Sequence, residues 1–190
     1  MKDKKKRCWG ITGDDLLMSK YHDDEWGKPV HDDRHLFEAL VLDGAQAGLS
    51  WRTILNKREN YRKAFNNFDV RKVAKYDAKK IKELMGNKGI VRNLLKIKSA
   101  VRNAEAFMGI QREFGSFDKY IWGFVNGKTV VNKRKNKSEV PAKTALSDKI
   151  SKDLKKRGMS FVGSTIIYAM IQAVGIVDDH EVGCYRSWKA

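Results

Sequence analysis

Four side chains of the types that bind zinc lie in two pairs near the ends of this 190-residue chain. The first pair is Cys8 and His22, and the second is His180 and Cys184. The i, i+4 spacing of the second pair predicts that both side chains lie on one side of a helical turn. Two cysteines and two histidines form a complete tetrahedral zinc set with no open position, so such a metal would be structural. The spacing differs from that of a standard zinc finger. The pattern therefore leaves open the alternative of two free cysteines and two surface histidines.

A second group, between Lys155 and Thr165, has the composition of a contact with a DNA backbone. Three basic residues precede Gly158, and a hydrophobic segment and Gly163 follow before an apolar run. Glycines allow the backbone to approach a phosphate closely, and the following helix N-terminus offers free N–H groups and a positive dipole. These features predict a helix-hairpin-helix contact with DNA. The alternative is a pair of glycines that only turn the chain between two packed helices.

A third group combines aromatic rings with a carboxylate. Trp9, Trp26 and Trp51 lie within the first 51 residues, together with Tyr21 and Asp43. Aromatic rings beside a carboxylate suit a flat ligand that is cationic or rich in hydrogen-bonding groups. From these residues alone, the favoured interpretation is an aromatic core in which Asp43 lies near a helix end.

The elements that must position these groups are almost all helical, because apolar residues recur with a helical period along most of the chain. Suitable N-cap residues precede several of these runs, namely Asp32 or Asp33, Ser50, Asp69, Asp77 and Ser116. The single strand candidate is Thr129-Val130-Val131, within a polar, basic loop (residues 126–143) that is expected to be exposed and mobile. The pattern predicts a single all-α domain of about eight helices.

The charge of the chain indicates its class of partner. It has 39 Lys and Arg against 23 Asp and Glu, a net charge of +16. A nucleic acid is the first expectation, an anionic membrane surface the second, and a merely soluble basic protein the alternative. Two cysteines cannot form a disulfide framework, which indicates an intracellular protein. The uncharged stretch 158–177 is interpreted as a turn followed by a buried core helix, so no membrane association is expected.

Taken together, the three groups resemble the 3-methyladenine-DNA glycosylase I family of the helix-hairpin-helix superfamily. The resemblance extends from about Arg7 to Cys184. It is carried by Arg7-Cys8, Tyr21-His22-Asp23-Asp24-Glu25-Trp26-Gly27, Gln46-Ala47-Gly48-Leu49-Ser50-Trp51, residues 57–62, 124–126 and 154–163, and Asp179-His180 with Gly183-Cys184. It implies an all-α helix-hairpin-helix DNA glycosylase fold in which a zinc site joins the N- and C-terminal segments. Residues 1–6 would form a basic tail, and residues 7–190 a single glycosylase domain of two closely packed helical lobes.

The resemblance also implies residue roles. One structural Zn²⁺ would be bound by Cys8, His22, His180 and Cys184. The base pocket would contain Trp9, Tyr21, Trp26, Asp43 and Trp51, with Trp51 stacking on the base and Asp43 as the catalytic carboxylate. DNA contacts would come from Leu49, which probes the gap left by the extruded nucleotide, and from Gly158, Gly163, Ser164 and Thr165 at the hairpin.

Three positions depart from the family pattern. The family carboxylate is typically a glutamate, and Asp43 is one methylene shorter. The family tryptophan follows the cysteine by two residues, whereas Trp9 is adjacent to Cys8, and a pocket tyrosine is replaced by Met18. The basic tail and the basic loop also exceed what the family needs.

The implied activity is that of a monofunctional DNA repair enzyme. Such an enzyme flips 3-methyladenine out of alkylated double-stranded DNA and excises it by hydrolysis. The position of a lyase lysine after the hairpin is occupied by Ser164 and Thr165. The alternative is a non-catalytic or altered-specificity member that binds DNA or lesions. The expected protein is a cytoplasmic monomer with no protein partner.

Overall fold

A computed structural model of the chain describes residues 5–187. In that range the chain forms nine α-helices, α1 (Leu16–Asp24), α2 (Asp33–Gln46), α3 (Trp51–Ala64), α4 (Val70–Val73), α5 (Ala78–Gly86), α6 (Leu94–Phe114), α7 (Phe117–Gly123), α8 (Ala145–Lys156) and α9 (Ser164–Ala173). Three short 3₁₀ turns lie at Cys8–Gly10, Asn66–Phe68 and Lys137–Glu139. The two strands are β1 (Val130–Val131) and β2 (Val177–Asp178). The largely helical prediction is confirmed, with one helix more than expected.

The helix starts follow from local chemistry. The side chains of Asp32, Ser50, Asp69, Asp77 and Ser116 each accept a hydrogen bond from a backbone N–H in the first turn of the helix that follows. These bonds satisfy N–H groups that have no partner within the helix. The predicted caps are therefore confirmed, with Asp32 rather than Asp33 capping α2.

One continuous apolar core runs through the helices. α2 packs against α3, α6, α7 and α9, so it lies at the centre of the fold. Phe107 of α6 stacks on Phe117 of α7 with ring centroids 4.1 Å apart, and the edge of Phe37 of α2 meets Phe107 at 5.3 Å. The division into a basic tail and one domain stays a prediction, and residues 1–4 of that tail lie outside the described residues.

Part of the basic loop is attached to the C-terminal segment. β1 pairs in parallel with β2, with Val130 opposite Val177 and Val131 opposite Asp178. The backbone N–H of Asn132 donates to the carbonyl of Asp178 at 2.9 Å. This pairing joins segments almost fifty residues apart, so the local spacing of apolar residues could not predict it. The strand candidate of the loop is therefore confirmed at Val130–Val131, and the expected mobility of the loop stays a prediction.

The uncharged stretch 158–177 forms a turn and the buried helix α9, as predicted. Across residues 5–187, no helix is both long enough and apolar enough to span a lipid bilayer.

Candidate functional site

The four predicted zinc ligands lie together. All four are buried, and the ligand atoms of Cys8, His22, His180 and Cys184 all lie within 4.8 Å of one another. Cys8 belongs to the first 3₁₀ turn, His22 to α1, and the other two to the segment after β2. The predicted helical placement of His180 and Cys184 is wrong. A single turn, closed by the N–H of Cys184 on the carbonyl of Glu181 at 2.7 Å, brings them together instead.

Both histidines are oriented by a carboxylate. His22 Nδ1 lies 3.0 Å from Asp23 Oδ1, and His180 Nδ1 lies 2.7 Å from Asp178 Oδ1. Each ring therefore presents Nε2 to the cluster, and within residues 5–187 the buried Nε2 of His180 has no hydrogen-bond partner. A carboxylate on the far nitrogen is the usual support of a zinc-bound histidine. The donor set and the unpartnered nitrogen both fit a tetrahedral zinc ion.

Asp23 and Asp178 were not singled out as positioning residues from the sequence, although each lies within two residues of a histidine ligand. Asp23 also accepts two hydrogen bonds from Arg7, at 2.8 and 2.7 Å. These bonds, together with one from His22, hold the pKa of Asp23 well below its ordinary value against the opposing effect of burial. Gly27 packs against the ring of His180, and a Cβ at this position would come within 2.5 Å of His180 Cε1.

A cavity of about 180 Å³ lies beside the four candidate metal ligands, and His22 belongs to its wall. It is lined by Trp9, Ile11, Met18, Tyr21, His22, Trp26, Asp43, Gln46, Trp51, Ala169 and Gln172. Its size compares with that of a cavity of about 150 Å³ that holds benzene. All five residues predicted for the base pocket are therefore in its wall, including Trp9 with its altered spacing.

The rings of this cavity form two groups. Tyr21 and Trp51 lie with centroids 5.3 Å apart, and Trp9 meets Trp26 edge to face at 4.7 Å. Trp26 also meets the ring of His180 at 4.5 Å, so the same indole contacts both the cavity and the metal cluster. Trp26 therefore lies between the cavity and His180.

Asp43 is the carboxylate of the cavity, and α2 carries it into the interior with only 3% of its surface exposed. Burial raises the pKa of Asp43 to about 8. Among the described residues, Asp43 Oδ2 has no hydrogen-bond partner, and neither do the buried Nε1 atoms of Trp9 and Trp51. Buried polar atoms are normally paired. One unpaired acceptor and two unpaired donors in one wall indicate a ligand with complementary polar edges.

A second cavity, of about 300 Å³, shares Tyr21, Asp43 and Trp51 with the first. Its wall includes two ion pairs that the sequence reasoning missed. Arg58 contacts Glu25 at 2.5 and 2.9 Å, and Arg62 contacts Glu38 at 2.8 Å. Arg58 lies in a segment that carries the resemblance, which was the one available signal.

The predicted DNA-contacting residues lie around the pocket and the hairpin. Leu49, 41% exposed, follows Gln46 of the pocket wall in the loop between α2 and α3. Gly158 has φ +90°, and Gly163 is the N-cap of α9. Ser164 begins α9 and Thr165 is exposed. Ala169 and Gln172 of the same helix line the pocket, about 8 and 12 Å beyond Ser164 at about 1.5 Å per residue. α9 thus connects the hairpin to the pocket.

Comparisons with known proteins agree with this geometry. A family model described as methyladenine glycosylase matches residues 9–187. "DNA-3-methyladenine glycosylase" of Haemophilus influenzae is 46% identical over 179 residues, covering 94% of this chain and 96% of that protein. A crystal structure of 3-methyladenine DNA glycosylase I is 42% identical with a TM-score of 0.93, covering 96% of this chain and all of that one.

A tyrosine-to-phenylalanine variant of 3-methyladenine DNA glycosylase I in complex with 3-methyladenine is also similar. It is 35% identical with a TM-score of 0.90, and the match covers 92% of this chain and 94% of that one. The family model covers nearly all of the chain, and the curated relative is far above the identity at which a shared family is secure. The chain belongs to the methyladenine glycosylase family.

Proposed function

We propose that this chain is a monofunctional N-glycosylase that hydrolytically excises 3-methyladenine from alkylated double-stranded DNA. The observation that carries the proposal is the buried Asp43 carboxyl group. Its Oδ2 has no partner among the described residues, and it lies in one cavity wall with the rings of Tyr21 and Trp51. The family membership and the related structure with bound 3-methyladenine support it.

The charge of the damaged base explains the composition of the pocket. Methylation at N3 makes adenine cationic, and a cation is attracted to aromatic faces such as those of Tyr21 and Trp51. Neutral adenine lacks this attraction, so the rings favour the damaged base. The carboxylate of Asp43 accepts hydrogen bonds from the base edge and balances its charge.

Asp43 changes its protonation state when the lesion binds. With a pKa of about 8, Asp43 is mostly protonated in the free protein at pH 7. A cationic base in contact with it favours the carboxylate, so binding of the lesion releases a proton from Asp43. The resulting negative charge stabilises the oxocarbenium-like transition state. The base departs as a neutral molecule, so the reaction needs little help from an acid.

The base reaches the pocket by flipping out of the duplex. Leu49 fills the gap that the nucleotide leaves, because its exposed side chain lies beside the pocket wall. Gly158, Gly163, Ser164 and Thr165 bind the DNA backbone at the N-terminus of α9. Ser164 and Thr165 stand where a lyase would carry its lysine, so the product is an intact abasic strand.

Cys8, His22, His180 and Cys184 would hold one structural Zn²⁺. The metal would supply a cross-link between the N- and C-terminal segments, and four protein ligands leave no position for substrate. We also place the protein in the cytoplasm, acting as a monomer on genomic DNA.

The test is the release of free bases from alkylated duplex DNA, resolved by chromatography, for the wild type, Asp43→Asn and Asp43→Glu in parallel. We expect the wild type to release 3-methyladenine and Asp43→Asn to release it much more slowly while staying folded. If only Asp43→Glu releases the base, the chain is a binding or altered-specificity member of the family. Equal rates for the wild type and Asp43→Asn would remove Asp43 from the mechanism.

A further inference from the structure

The basic loop, residues 126–143, presents a concentration of exposed positive charge that the proposed reaction does not use. It has five exposed lysines, Lys128, Lys133, Lys135, Lys137 and Lys143, against a single acid, Glu139. Within the described part of the chain, the first four of these lysines form no ion pair. Lys143 reaches only the exposed Asp148, at 3.6 Å. These charges are therefore available to an outside partner.

The loop is held in place by a buried carboxylate. Asp179 has no exposed surface, and it accepts hydrogen bonds from Asn132 Nδ2 at 2.9 Å and Arg134 Nε at 3.0 Å. Its other oxygen accepts from the Tyr168 hydroxyl and from Gln172 Nε2, both on α9. Asp179 thus ties two residues of the loop to α9.

Backbone bonds add to this attachment. The N–H of Val182 donates to the carbonyl of Arg134 at 2.8 Å, and β1 pairs with β2. These bonds hold the backbone of residues 130–134 in place, which lowers the entropic cost of binding a partner there.

The end of the loop meets the hairpin region. Thr144 caps α8 and exchanges hydrogen bonds with Ser147, whose Oγ lies 2.8 Å from Oγ of Ser164, the first residue of α9. A hydrogen bond from Ser164 is the largest cause that holds the pKa of Asp148 below its ordinary value, and the charges of Lys143 and Lys155 act in the same direction. Lys143, at the end of the loop, therefore lies close to the N-terminus of α9.

We propose that the basic loop is a second binding surface for the DNA phosphate backbone, continuous with the hairpin. Lys133, Lys135, Lys137 and Lys143 would contact phosphates on the duplex that the hairpin anchors. The proposal rests on DNA being the substrate, as proposed above. DNA is favoured over an anionic membrane because the loop ends beside the N-terminus of α9, where the hairpin lies. Such contacts are independent of sequence, so they add affinity and orientation without selecting the base.

The test compares two triple variants that remove equal charge. The loop variant is Lys133→Ala, Lys135→Ala and Lys137→Ala. The control variant is Lys75→Ala, Lys79→Ala and Lys82→Ala, exposed lysines in and before α5, which packs on α6. Binding to a fluorescein-labelled 20-base-pair duplex is measured by anisotropy between 50 and 200 mM NaCl. Thermal melts show whether both variants are folded.

Each phosphate contact contributes about 0.9 to the slope of log K against log salt. The loop variant should therefore lose up to about 2.7 from the magnitude of this slope, with an affinity loss of up to about 500-fold at 0.1 M salt. The control variant should keep the wild-type slope. A wild-type slope in the loop variant, or an equal decrease in both variants, would overturn the proposal. The proposal would also be overturned if the loop variant lost binding to anionic vesicles that the wild type shows, while its slope with the duplex stayed at the wild-type value.

The wild type is assayed for release of 3-methyladenine in the same buffer, which separates the two proposals. If it releases no base while the slope difference persists, the catalytic proposal fails and the loop proposal stands. If it releases the base and the slopes agree, the loop proposal alone fails.

Discussion

Replacing Asp43 by asparagine should stabilise the free protein, increasingly so as the pH rises. In the unfolded chain this carboxyl group loses its proton near its ordinary pKa of 3.8, whereas in the folded protein burial raises the pKa to about 8. Between these two values the folded state holds a proton that the unfolded state has released. The free energy of unfolding contributed by Asp43 therefore falls with increasing pH in that window.

The magnitude follows from the two pKa values. One pKa unit corresponds to about 1.36 kcal/mol, so the penalty relative to a neutral side chain is about 2 kcal/mol at pH 5 and about 4 kcal/mol at pH 7. Asparagine has nearly the same shape and does not ionise. The stability of Asp43→Asn relative to the wild type should therefore rise by roughly 2 to 3 kcal/mol between pH 5 and pH 7.

The assay is urea unfolding at half-unit pH intervals, with the difference in unfolding free energy plotted against pH. Asp43→Glu is the matched control, because it keeps an ionisable carboxyl group at the same buried position and should preserve the wild-type trend. A difference between wild type and Asp43→Asn that stays constant from pH 5 to pH 7 would refute the argument that burial keeps Asp43 protonated. Such a site holds its carboxyl group at the expense of stability, as expected of a functional residue.

Three further outcomes are expected. Trp51→Ala should weaken binding of free 3-methyladenine by roughly 5- to 150-fold, since base stacking contributes about 1–3 kcal/mol; calorimetry that finds unchanged affinity would exclude the stacking role. Leu49→Ala should slow excision from duplex DNA, while the affinity of this variant for the free base, measured by calorimetry, stays at the wild-type value. An excision rate equal to that of the wild type would exclude a role for Leu49 in the gap left by the extruded nucleotide. Metal analysis should find about one zinc per chain, and Cys184→Ser should lower both zinc content and melting temperature; a metal-free protein with the same melting temperature would exclude the structural zinc.

The parts of the fold that the sequence predicted are those with a local cause. An N-cap such as Ser50 or Asp77 acts on backbone groups within three residues, so its effect is visible in the sequence itself. Residue types alone grouped the candidate metal ligands and the aromatic residues with Asp43, and the family resemblance then implied that each group forms a site. The residues alone favoured an ordinary aromatic core around Asp43.

The parts that the sequence did not predict depend on contacts between distant segments. The attachment of the basic loop requires Asn132 and Arg134 to meet Asp179, and composition alone suggests a mobile segment there. The placement of His180 and Cys184 was wrong for a related reason. An i, i+4 spacing fits a helix, but this segment leaves β2 and is fixed by its contacts with the N-terminal turn instead.

The four candidate metal ligands connect the pocket, which is built mainly on α1, α2, α3 and α9, to both end segments of the described chain. Trp26 meets His180 on one side and Trp9 on the other, and His22 itself lines the pocket. Trp9 directly follows Cys8, and its backbone N–H donates to Glu181 at 3.2 Å. Joining Cys8 to Cys184 through a metal would therefore hold the indole of Trp9 in the pocket wall. The zinc ligands would act on base recognition by holding this wall, without contacting the base or the reacting bond.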